Sequence, residues 1–134
     1  VRVPLPLGAA TAAIVLSACG APQARQDGAG TAGRTFEAAL AAGDFRAACG
    51  LLAPGSRERL EEDEKKPCEE TPPSQEPPRG GAVRSVDVYG RQALLRFRDE
   101  TLFLSQFDDG WRVTAAGCVP EPGDEPYRRV LKGA

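Results

Sequence analysis

The stretch Ala82–Cys118, AVRSVDVYGRQALLRFRDETLFLSQFDDGWRVTAAGC, decides the fold class. Apolar and polar residues alternate along it in four runs, 82–89, 92–99, 101–107 and 111–118, and that is the period of a half-buried strand. Gly90-Arg91, Asp99-Glu100 and Asp109-Gly110 separate the runs at hairpin spacing, so an antiparallel meander is predicted. Asp109-Gly110 is the clearest of the three signals, because a type I′ turn requires positive φ at both central residues. Tight turns would gather Val86, Val88, Ala93, Leu95, Phe97, Leu102, Leu104, Trp111, Val113 and Ala115 on one face, the expected core. The other face would hold Asp87, Tyr89, Leu94, Arg96, Arg98, Phe103, Phe107, Arg112 and Thr114.

That second face is not the Thr, Lys and Glu of an ordinary solvent face. Tyr89, Leu94, Arg96, Arg98, Phe103, Phe107 and Arg112 combine rings and guanidinium groups, the composition of an interface, and are the candidate interface residues. A protein partner or a second copy would meet them. Equally, the chain's own Pro-rich loop or C-terminal tail, through Tyr127, Val130 and Leu131, would fold back over the rings.

Upstream of the meander the period becomes helical. Thr35 is placed to cap a helix over 36–42, with Phe36, Ala39 and Leu40 on one face and Gly43 as its stop. Asp44 opens a second helix, 45–52, which Pro54-Gly55 would end. Ser56 is read as the cap of a third, 57–66, where Glu61/Lys65 and Glu62/Lys66 stand at i,i+4 spacing. The acidic cluster Glu58, Glu61, Glu62, Asp63 and Glu64 is read as a solvated helical face, not as a cation site. Residues 67–81, with five prolines, are expected to be loop. Helices followed by a meander give an α+β fold class, with N-terminal helices packed on a curved four-stranded antiparallel meander.

The chain has 134 residues, net charge −2 and no histidine. It is long enough for one small domain plus a leader. The scattered basic residues do not suit a phosphate backbone, so no nucleic-acid partner is expected. The absence of imidazole removes Ser-His-Asp relays and His-ligated zinc.

Residues 1–18 read as a signal peptide: Arg2, then an apolar run through Leu16, too short for a hydrocarbon core of about 30 Å. The run ends Leu16-Ser17-Ala18-Cys19, which resembles the lipobox of bacterial lipoproteins. The resemblance implies cleavage before Cys19 and a diacylglycerol on its thiol. Loss of Arg2 leaves the mature chain slightly more acidic, so lipid and not a polybasic patch would anchor it. Residues 19–34 contain no large apolar side chain and are expected to form a flexible tether spanning roughly 20 Å, with the domain occupying 35–134.

With Cys19 lipidated, Cys49, Cys68 and Cys118 remain. A helical hairpin would bring Cys49 and Cys68 together as a disulfide, leaving Cys118 unpaired.

The order of elements, the break Ala41-Ala42-Gly43-Asp44-Phe45 and the phrase from Asp109 to Cys118 resemble small actinobacterial lipoproteins with a nuclear-transport-factor-two-like, cystatin-related domain. The resemblance covers about Thr35 to Gly133 and implies a cone. In those proteins the cysteine closing the last strand pairs with one after a Pro-Tyr. Here Pro126-Tyr127 is followed by Arg128, so Cys118 lacks that partner.

Cone folds also include isomerases, but architecture does not carry activity. Asp87 and Tyr89 are the nearest approach to an acid–base pair, and they fall on the face turned from the helices. The expectation is therefore a non-enzymatic, cofactor-free module on the outer face of the cytoplasmic membrane, binding a small apolar molecule or an envelope protein. The alternative is a lipid-anchored isomerase- or hydratase-like enzyme.

Overall fold

The computed structural model describes residues 22–71 and 81–118, with the backbone alone described at 117 and 118. Helices α1 (Gln23–Ala42), α2 (Phe45–Gly50) and α3 (Pro54–Glu64) and a 3₁₀ turn (Cys68–Glu70) precede four strands, β1 (Val83–Tyr89), β2 (Gln92–Phe97), β3 (Thr101–Phe107) and β4 (Gly110–Cys118). The strands form one antiparallel sheet in the order β1-β2-β3-β4, so the expected α+β class and meander are present. The proposed signal peptide lies outside the described residues, as do Cys19 and the tail carrying Tyr127, Val130 and Leu131.

The largest departure is α1. Residues 23–34, expected as part of the tether, are its first half, and Thr35 sits mid-helix with its Oγ1 donating to the Thr31 carbonyl at 2.8 Å. Ala29, Gly33, Phe36 and Leu40 recur at helical spacing and face the sheet. Small residues are what this approach requires. A Cβ on Gly33 would overlap Leu95 Cδ2, and one on Gly28 would stand 3.1 Å from Trp111 Cδ1. The helix is pressed so closely on the sheet that its lack of side chains is the packing device.

Gly43 ends α1 in the left-handed conformation, and Asp44 caps α2 by accepting a hydrogen bond from the Ala47 N–H at 3.1 Å, both as read from sequence. α2 stops at Gly50 instead of Leu52, because 51–53 leaves the helix to run beside β4. There the Val113 N–H donates to the Leu51 carbonyl at 2.7 Å and the Ala53 N–H to the Val113 carbonyl at 2.8 Å. Pro54 opens α3 at its first turn, where a missing N–H costs nothing, so it starts a helix and does not stop one. Ser56 is consequently no cap. It is buried, and its hydroxyl donates to the Thr114 carbonyl at 2.9 Å. α3 ends at Glu64, before the expected lysine partners, and its ion pairs run from Arg57 to Glu61 (2.9 Å) and Glu69 (2.6 Å).

In the sheet, Leu95, Leu102, Leu104 and Val113 are fully buried, with Ala93, Phe97 and Trp111 beside them. Val86 and Val88 pack against this core while partly exposed at the first strand. Ala115 departs from its expected place. Two register shifts in the β3–β4 pairing set it opposite Phe103, where it is still buried, and bring Ala116 into the core beside it. The last hairpin also shifts by one residue. Gly110 pairs with Phe107 as the first residue of β4, so Asp108 and Asp109 form the turn, and only Gly110 there has positive φ, 123°.

Candidate functional site

The second sheet face is built by the meander's alternation. Asp87, Leu94, Phe103 and Ala115 follow one another across β1 to β4 in a single row, each opposite the next. Leu94 and Phe103 are half-buried at its centre. The guanidinium groups are engaged within the chain: Arg96 pairs with Asp87 on the neighbouring strand, Arg98 with Asp99 at 3.3 Å, and Arg112 with Asp109 at 3.0 Å. Arg112 also donates to the Trp111 carbonyl at 2.9 Å. Such exposed pairs add little stability, but they leave the face without a concentrated positive charge.

The seven candidate interface residues are spread along the length of this face and differ in exposure. Tyr89 and Phe107, 69% and 37% exposed, are the exposed large apolar residues among those described, and both stand at the end of the sheet that carries the β1–β2 and β3–β4 turns. Arg98 stands at the opposite end, about 20 Å along β2 by strand rise. Leu94, Arg96 and Phe103 lie between, while Arg112 shares the cross-strand row of Tyr89. Asp87 is held by Arg96 and by the Ser85 hydroxyl at 3.4 Å, so it is not poised against Tyr89 as a catalytic acid would be.

A second grouping escaped the sequence reading. Glu37 on α1 and Glu100 in the β2–β3 turn hydrogen-bond through their carboxyl groups. Two carboxylates present only acceptors, so a bond between them needs one of the two protonated. Burial pushes the Glu37 carboxyl above its ordinary value of 4.5, and the bond from Glu100 partly opposes this. Glu100 is only 3% exposed, although its place in the hairpin Asp99-Glu100 marks it as a surface turn residue. The local signal for a turn is the same whether or not α1 lies above it, and nothing in residues 23–34 announced α1.

Cys49 and Cys68 form a disulfide with Cα atoms 6.1 Å apart, joining α2 to the 3₁₀ turn. A groove of about 300 Å³, open to solvent, lies between α1 and β1, lined by Gln23, Gln26, Asp27, Gly30, Arg34 and 83–86; neither Glu37 nor Glu100 borders it. Among the described residues no set of three acidic or cysteine side chains could hold a metal ion. No described helix is long and apolar enough to cross a membrane. No protein-family model matches the chain, and neither a curated protein nor a solved structure matches it.

Proposed function

We propose that this is a lipid-anchored protein of the outer face of the cytoplasmic membrane, whose domain is a non-catalytic module binding a small apolar molecule or an envelope protein. The Cys49–Cys68 disulfide carries the reading, because such a bond persists in an oxidising compartment. The sequence Leu16-Ser17-Ala18-Cys19 supports it by its resemblance to a lipobox. The nuclear-transport-factor-two-like assignment belongs to the same proposal and is supported by the order of helices and meander. Cys19→Ser is expected to move the protein from the membrane fraction to the soluble fraction; retention of the variant on membranes ends the anchored reading.

One observation favours the enzymatic alternative: a carboxyl raised by burial beside a second carboxyl is the equipment of general acid–base catalysis. An isomerase-like enzyme would turn over a β,γ-unsaturated ketone and lose that turnover in Glu37→Gln. Equal background rates with both proteins leave the binding module standing.

A further inference from the structure

The exposed aromatic residues, the start of α1 and two turns meet at one end of the domain. Arg25, in the first turn of α1, donates to the Gly90 carbonyl in the β1–β2 turn and to Gln106 Oε1 at 3.3 Å, beside Phe107. The Gln106 N–H in turn donates to the Arg91 carbonyl at 2.8 Å. The start of α1 is thus fastened to the end of the sheet that bears Tyr89 and Phe107. Only Gly20, Ala21 and Pro22 separate Cys19 from Gln23. Fully extended, that connection spans about 14 Å, so this end cannot move far from a lipid held on Cys19.

We infer that the turn end of the domain rests on the membrane surface, with Tyr89 and Phe107 set among the lipid headgroups; this rests on the anchored reading above. The two residues share the second face of the sheet, two strands apart. Their rings combine apolar area with, in Tyr89, a hydroxyl that stays wet, the character of side chains at membrane interfaces. The charges nearby nearly cancel: Arg91 pairs with Asp108 at 3.4 Å and Arg112 with Asp109, while Asp27 follows Arg25 by two residues on α1. Contact therefore comes from burial of the rings and not from attraction to anionic lipid, and it is insensitive to salt. The partner is the lipid surface. A protein occupant would not explain why the exposed rings gather where the chain leaves the bilayer.

The test uses the full lipidated chain in vesicles of phosphatidylglycerol and phosphatidylethanolamine, some carrying bromine near the headgroup end of the acyl chains. Tyr89→Trp and Phe107→Trp each place a reporter at the contact, and Arg46→Trp places one at an exposed position of α2, beyond the far end of α1. That far end is about 30 Å from the start of the helix. The unsubstituted protein supplies the background from buried Trp111. Positions 89 and 107 are expected to lose most of their added emission in brominated vesicles, at low and high salt alike, while position 46 is unchanged. Floating of the protein with vesicles while positions 89 and 107 respond no more than 46 overturns the docking and leaves the anchor intact. Failure to float overturns the anchor and the docking with it. A blue shift that follows protein concentration and ignores bromine assigns the face to a second copy and overturns the proposal.

Discussion

The first half of α1 and the strands β2–β4 close on the same core from opposite sides, yet they do so by opposite means. The strands bring Leu95, Leu102, Leu104, Trp111 and Val113, whose apolar area drives burial. Residues 23–34 bring Ala29, Gly30 and Gly33, which bury little area themselves and instead let a helix backbone lie against those side chains. The difference teaches that a core is made of two surfaces, and the one without large side chains can be as necessary as the one with them.

That comparison breaks most sharply if the glycine-rich half is removed. A chain beginning at Thr35 is expected to lose cooperative thermal unfolding, since Leu95, Leu102 and Trp111 lose their cover. A normal transition in that truncation would return residues 23–34 to the role of a tether. Next in size is the bridge on the helical side. Cys49→Ser opens a loop with sequence separation 19 and should cost about 3 kcal/mol, read from urea midpoints with and without reductant.

Glycine itself can then be asked where it matters. Gly33→Val forces Leu95 from a filled core and should destabilise by about 1–3 kcal/mol, whereas an exposed tether would tolerate it. Gly50→Ala, where a Cβ meets nothing within 4 Å, should gain up to about 1 kcal/mol from helix propensity. Equal effects at the two sites would dismiss the close approach of α1.

The smallest expected effect lies where α1 crosses the β2–β3 turn. Burial raises the folded-state pKa of Glu37, so the folded chain holds that proton more tightly than the unfolded chain does. The resulting stability is fully present below about pH 4.5 and is lost as pH rises through the folded value. Glu37→Gln should therefore be more stable than the parent at pH 7, with the advantage shrinking toward pH 4. Denaturation at both pH values checks this, and a pH-independent difference would show that Glu37 does not carry the proton.

The second face shows how far the sequence reading reached. Alternation placed Tyr89, Leu94, Arg96, Phe103 and Phe107 on one face without reference to anything beyond the strands. It could not divide them into an exposed end and a half-buried middle, nor show that the arginines are paired, because those facts depend on neighbours brought in by the fold. Glu37 and Glu100 were invisible for the same reason: sixty-three residues apart in the chain, they meet only once α1 lies across the sheet.

By itself the sequence determined the α+β class, the meander and its order, the Gly43–Asp44 helix break and the Cys49–Cys68 pairing. Each of these is written in local chemistry: period two, turn residues, a cap, or cysteines left over at a bridgeable spacing. Tertiary structure alone decided that residues 23–34 are helix, that 51–53 runs beside β4, that Ser56 is buried, and that Ala116 joins the core. Those outcomes turn on close backbone approach and on hydrogen bonds to distant strands. Small residues record neither in their local pattern, because what selects them is the surface they meet.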